Sequence, residues 1–245
     1  MIISCLPACN LKKEQSEKQA KEKMQYSYTV NRSDSSIPEI NAVWDKDYWN
    51  QTPAIELNNF MGDRPAHFPH TEVKLRYDDQ HIYVIFKVSD RYVKAVEKEI
   101  NGKVWQDSRV EFFFSPGPDT ERGYFNLETN CKGVFLFGYH LDNRQENGFV
   151  KEEDYSQIQI AHSLTRNVEE EITGPVEWTI EYAIPVAILS KYMKVETPGP
   201  GTKWRANFYK CADETSHPHW LTWARVEFDR PRFHLPEFFG TIEFE

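Results

Sequence analysis

Long apolar runs are missing from this chain. No stretch of the 245 residues approaches the roughly 20 consecutive apolar positions of a membrane-crossing helix. Cysteine is scarce: four are too few for a disulfide scaffold. Cys131 and Cys211 both end strand-like runs and would make one pair, which spacing alone does not decide. Positive charge is in the minority, since 29 Lys and Arg against 38 Asp and Glu leave a formal charge of −9. An acidic surface repels a phosphate backbone, which argues against nucleic acid as a partner. Helical periodicity is almost absent, with 186–192 the only fair helix. There is no Gly-x-Ser-x-Gly elbow, no His-Glu-x-x-His helix and no phosphate-binding loop, so the common hydrolase, zinc-peptidase and nucleotide signatures are lacking.

Aromatic residues are abundant, at 14% of the chain. They recur in short alternating runs bounded by turn residues. Strands are expected at 26–30, 54–57, 72–77, 81–88, 110–114, 123–131, 133–141, 157–162, 176–184, 203–211 and 241–244, with one helical turn at 45–50. Asp78-Asp79-Gln80 would close a hairpin, and Ser115 to Asp119 (SPGPD) is an emphatic turn. Val73, Leu75 and Tyr77 share one face, as do Ile82, Val84, Phe86 and Val88. In the run 203–211, Trp204, Ala206 and Phe208 point one way and Arg205, Asn207 and Tyr209 the other. Residues 142–153 read as a polar insertion. Many short strands at close spacing predict an all-β fold, an antiparallel β-sandwich or barrel, in one domain over 26–245. Ahead of it, 10–25 is a charged, apolar-poor tether. Residues 1–9 (MIISCLPAC) resemble the end of a bacterial lipoprotein signal, with Cys9 as the lipidated residue. The basic start is missing and the apolar run is shorter than the usual 7–15 residues, as if the true signal began upstream. An unstructured N-terminus with incidental cysteines is the alternative.

The chain is organised around 104–114 (VWQDSRVEFFF). Val110, Phe112 and Phe114 fall on one strand face, and Arg109, Glu111 and Phe113 on the other. Fully extended, Trp105 and Glu111 would stand about 20 Å apart. A turn at Asp107-Ser108 would fold Trp105 back over the mouth of the strand. An indole plate beside a carboxylate is one way to hold a sugar. Equally, Trp105 would be core and Glu111 an ordinary partner of Arg109. For catalysis, Glu111, Glu128 and Glu181 lie on separate strands and would have to converge. His217 and His219 are a weak transition-metal pair, and Asp78, Asp79, Asp90 and Asp142 are candidate calcium ligands without an EF-hand spacing. Met61 with His70 or His81 would be the haem ligands, supported by residue type alone. Trp223, in a proline-flanked polar segment, suits a stacking platform. Trp44, Trp178 and Trp204 read as core.

These residues, in order, resemble the family 9 carbohydrate-binding modules, and in particular stand-alone family 9-like proteins of Bacteroidetes-type bacteria. The likeness is carried by 71–79 (TEVKLRYDD), Trp105 with Glu111 six residues on, 124–128 (YFNLE), Trp178 with Tyr182 and Pro185, 204–209 (WRANFY) and the closing Trp223 with 233–240. The resemblance implies a β-sandwich of the DOMON-like superfamily that binds an oligosaccharide or polysaccharide without catalysis. It implies two tryptophans sandwiching a sugar, Trp105 and Trp223 here, with Glu111 holding hydroxyls. Family arginines fall near Lys132 and Lys210, and lysine lacks the guanidinium fork. Structural calcium occurs in the family. The setting implied is a bacterial envelope or the periplasm, lipid-anchored or secreted, with glycoside hydrolases acting on the same glycan as partners. A DOMON-like haem or electron-transfer domain and a glycan-processing enzyme are the alternative readings.

Overall fold

The computed structural model describes residues 26–33 and 38–245. The signal-like run, the tether and Cys9 lie outside the described residues. The first strands are β1 (Ser27–Arg32), β2 (Ile55–Glu56), β3 (Asn59–Phe60), β4 (His70–Tyr77), β5 (His81–Asp90), β6 (Arg109–Ser115) and β7 (Gly123–Asn130). They are followed by β8 (Phe135–Leu141), β9 (Glu146–Phe149), β10 (Gln159–His162), β11 (Val176–Pro185), β12 (Lys203–Ala212), β13 (His219–Thr222) and β14 (Gly240–Phe244). The expected helix at 186–192 shrinks to one turn, α3 (Val186–Leu189), after α1 (Asp47–Asn50) and α2 (Glu152–Tyr155).

The strands follow the path β10-β11-β5-β4-β1-β14-β12-β6-β7-β8-β9, with β13 beside β12. The path curls into a sandwich. β1 joins the two layers: Ser27 to Val30 pair with β14, and Asn31 and Arg32 pair with β4. Both pairings are parallel, so the sandwich is mixed rather than strictly antiparallel. A strand more than 200 residues from β14 reaches it by no hairpin, and hairpins are what impose the antiparallel sense.

Period-two alternation sets the core. Val73, Leu75, Phe86, Val88, Trp178 and Ile180 of one layer face Val110, Phe112, Leu127, Trp204 and Phe208 of the other, all buried. Phe86 meets Phe208 at 6.0 Å between ring centroids, and Phe112 stacks on Phe208 at 5.1 Å. Cys131 and Cys211 are both free: Cys131 packs in the inter-layer core and Cys211 in a smaller cluster on the outer face.

Both outer faces are partly covered. Over β5 and β11, the segment carrying Ile40, Trp44 and Trp49 packs on Tyr83, Ile85 and Ala183. Glu181 anchors it, accepting from the Asn41 and Ala42 amides and from Trp49 Nε1. Over β6, β7 and β12, the C-terminal segment lays Val226, Leu235 and Phe239 on Phe113, Tyr124 and Tyr209. That segment reaches β8 where His234 meets His140, at 4.8 Å between ring centroids. The uncovered part of this face is where the site lies.

Candidate functional site

The turn expected at Asp107-Ser108 is present, and it positions Trp105. Val104–Gln106 form a 3-10 turn. The Asp107 carboxylate accepts from the Val96 and Glu97 amides and from Asn130 Nδ2, and Ser108 Oγ accepts from the Lys94 amide. Arg109 Nη1 donates to the Trp105 carbonyl. Trp105 therefore stands over the start of β6 with its side chain 45% exposed. It is a surface plate, not core.

Below it the outward face of β6–β8 forms the floor of a cavity of about 390 Å³. Arg109 Nε donates to Glu111 Oε1 at 2.6 Å, and Nη1 to Asp213 Oδ1 at 2.7 Å. Glu128 lies directly across from Glu111 on β7, with Oε2 3.7 Å from Arg109 Nε. Burial pushes both glutamates above the ordinary carboxylate range; Arg109 opposes this for each, and the Glu128 charge adds to it for Glu111. Asn126 donates to Glu128 Oε1 at 3.0 Å, and its Oδ1 lies 3.0 Å from His140 Nε2. An amide oxygen only accepts, so His140 carries its proton on Nε2.

Register brings in a residue that the sequence did not flag. Asn126 pairs with Gly138, and Gly138 with Phe149. Directly paired residues project from the same face, so Phe149 points the same way as Asn126. It is 53% exposed. Only glycine separates Asn126 from Phe149, leaving a bare slot two strand spacings, about 10 Å, wide. A Cβ on Gly138 would come within 2.4 Å of Asn126 Oδ1. Gly138→Val is expected to fill the slot and turn Asn126 away from Glu128 and His140. Ligand affinity should fall at least about tenfold while stability falls by about 1–3 kcal/mol, read by calorimetric titration and thermal melting. Unchanged affinity would mean the slot is not used. Phe233 and His234, from the C-terminal segment, complete one wall.

Of the five predicted sugar contacts, Trp105 and Glu111 line this cavity. The other three do not. Trp223 is 7% exposed and packs in the inter-layer core against Phe208 and Tyr26, at 5.6 and 6.1 Å. Its indole lies so close to Gly240 that a Cβ there would meet it at 2.6 Å. Lys132 folds over the turn after β7 and donates to the carbonyls of Leu164, Thr165 and Arg166. Lys210 is fully buried between the layers, 3.1 Å from Asp90 and 2.6 Å from His219 Nε2.

The remaining candidates sort by position. Glu111 and Glu128 converge, whereas Glu181 sits on the opposite layer. His219 is engaged by Lys210, so it does not join His217 as a metal ligand. Asp78 accepts from the Gln80 and His81 amides and from Tyr83, while Asp90 pairs with Lys210 and His67. With an ammonium against Asp90, these residues do not fit a calcium site. Among the described residues no group of three His, Cys, Asp or Glu is arranged to hold a metal ion. His70 and His81 begin consecutive strands of one hairpin and so lie at its opposite ends, and Met61 is buried in the outer-face cluster. They do not frame a haem.

The sequence profile of carbohydrate-binding family 9 matches residues 45–244. A crystal structure of a candidate carbohydrate-binding protein from Bacteroides uniformis is similar with 30% identity and a TM-score of 0.81, covering 90% of this chain and 99% of that one. A family 9 module from Caldicellulosiruptor kristjanssonii, solved with cellotriose, shares the fold at 15% identity and a TM-score of 0.57, covering 89% and 93% of the two chains. The same organism's module solved with glucose matches at 16% and 0.57, covering 89% and 95%. No curated protein matches the chain.

Proposed function

The chain belongs to carbohydrate-binding family 9, and from that premise we propose that it binds a sugar, without transforming it, in the cavity over β6–β9. The observation that carries the reading is the pair of half-exposed aromatic plates, Trp105 and Phe149, on the rim of a polar floor. An aromatic face covers the apolar C–H side of a pyranose, while Glu111, Asn126 and Asp213 take hydroxyls. Phe149 fills the role that the resemblance gave to Trp223. Arg109 lies against both glutamates, which favours binding over hydrolysis: a glycosidase needs its acid and its base or nucleophile held apart across the bond. On this reading the chain works at a bacterial envelope, tethered through Cys9 and 10–25, and captures glycan for hydrolases acting on the same polymer. The lipoprotein-like run 1–9 supports the tether.

The test is calorimetric titration with cello- and xylo-oligosaccharides. Trp105→Ala is expected to cost about 1–2 kcal/mol, some five- to thirtyfold in Kd. Its melting curve should be unchanged, since the indole is half in solvent. Phe149→Ala should weaken binding in the same direction. Full affinity in both variants would remove the aromatic rim from the reading.

A further inference from the structure

We propose that this cavity selects a sugar bearing a free, protonated amino group, a hexosamine unit, over neutral and acidic sugars. The inference rests on the carbohydrate reading above. Three carboxylates, Glu111, Glu128 and Asp213, line the cavity with one guanidinium, Arg109, and no lysine joins them. Arg109 does not satisfy all three. It bonds Glu111 Oε1 and Asp213 Oδ1, but stands 3.7 Å from Glu128 Oε2, too far for a hydrogen bond. Glu111 Oε2 has no hydrogen-bond partner among the described residues, although Glu111 is 99% buried, at 1% exposure. A buried carboxylate oxygen without a donor is costly, and such an orphan marks a place where a donor belongs.

The neighbouring rings supply no cation. Burial pushes His140 and His234 down to about 4, so both are neutral through the neutral range. With its proton on Nε2 facing Asn126, His140 leaves Nδ1 as one more acceptor. The floor thus holds more acceptors than donors. A sugar hydroxyl brings one donor and two acceptor lone pairs, whereas an ammonium brings three donors and no acceptor. The rim suits a cation as well, because the faces of Trp105 and Phe149 attract positive charge. A uronic acid would add a fourth carboxylate, and N-acetylation would remove the ammonium.

The experiment is calorimetric titration of the full chain at about pH 6.5, below the usual range of an amine. The ligands are a glucosamine disaccharide, its N-acetylated form, cellobiose, a glucuronic acid disaccharide and an aliphatic diamine. The glucosamine disaccharide is expected to bind about ten- to a hundredfold tighter than cellobiose, the range a charge-assisted bond adds, and the uronate not at all. Glu111→Gln and Asp213→Asn should each cut that margin to about threefold or less. Asp213 is partly exposed, so its variant keeps the test open if Glu111→Gln fails to fold, which thermal melting shows. Cellobiose binding as tightly as the amino sugar overturns the selectivity and leaves the carbohydrate reading standing. A diamine matching the amino sugar overturns it in favour of a bare ammonium site. Silence toward every ligand removes both readings.

Discussion

Replacing Lys210 by methionine is expected to lower the unfolding free energy by about 3–5 kcal/mol at neutral pH, the usual result of removing one partner of a buried ion pair. The reasoning starts from strand parity. On β12, Trp204, Ala206 and Phe208 face the core, so Lys210 does too. On β5, Ile82, Val84, Phe86 and Val88 face the core, so Asp90 does too. The two strands lie in opposite layers, and the two charges meet 3.1 Å apart at one end of the sandwich. His67 Nε2 reaches the other Asp90 oxygen at 2.7 Å, and the Lys210 ammonium donates to His219 Nε2. His219 in turn donates from Nδ1 to the His217 carbonyl. Burial opposes the Asp90 charge, but Lys210 and His67 outweigh it and hold that carboxyl well below its ordinary range. A depressed carboxylate contributes stability that is fully present above its unfolded value, about 3.9, and is lost as pH falls through the folded value. The wild-type protein should therefore lose stability progressively as pH falls below about 4. In Lys210→Met that acid limb should flatten, because Asp90 no longer ionises so readily. Urea unfolding from about pH 3 to 8 checks both points: the midpoint should fall with the slope m unchanged. Adding Asp90→Asn should recover part of the loss. A stable Lys210→Met protein that had lost its sugar affinity would instead return Lys210 to the binding site.

That result bears on what the chain reveals before it is folded. The core faces of β4, β5, β6 and β12 were legible, because burial on one side of a strand writes a period of two into the residues. The same alternation assigns Lys210 to the core, two positions beyond Phe208. Matching it to a family arginine set that parity aside. Trp105 was legible through its turn: Asp and Ser close to an indole offer the side-chain caps that the Val96, Glu97 and Lys94 amides use. Phe149 was not legible. It ends a four-residue edge strand, Glu146–Phe149, whose other residues are polar and mostly exposed, so no alternation marks it. Only its register through Gly138 to Asn126 places it over the cavity. Trp223 misled for a related reason. Prolines and charges surround it in sequence, yet its amide bonds the Phe208 carbonyl at 3.0 Å and draws the indole inward. The parallel pairings of β1 leave no local trace, since each depends on strands far along the chain.

Arg109→Met is the second large effect, and its signature is a pH dependence. Arg109 is 2% exposed and touches three carboxylates and the Trp105 carbonyl. At about pH 8 its loss should cost about 3–5 kcal/mol, because Glu111 and Glu128 must then either stay charged and uncompensated in a buried floor or take up protons from a solvent poor in them. Both glutamates already sit above their ordinary range. A carboxylate raised on folding takes up its proton more readily in the folded state. Its charged form therefore withdraws stability as pH climbs from about 4.3 through the folded value, and restores it as pH falls. Without the guanidinium, which lowers both, those folded values rise further. The penalty should accordingly shrink toward about pH 5, where the carboxyls are neutral and a buried neutral acid costs far less than a buried charge. Sugar binding should not recover with it. Trp105 is held at the cavity mouth partly by the Arg109 bond to its carbonyl, and methionine offers no donor at any pH. Arg109→Lys should restore part of the stability and little of the binding, since one ammonium cannot span Glu111, Asp213 and the Trp105 carbonyl as the guanidinium does. Urea midpoints at the two pH values, paired with calorimetric titration, separate the two roles. An equal loss of stability at both would mean that the glutamates are not the groups Arg109 holds in place.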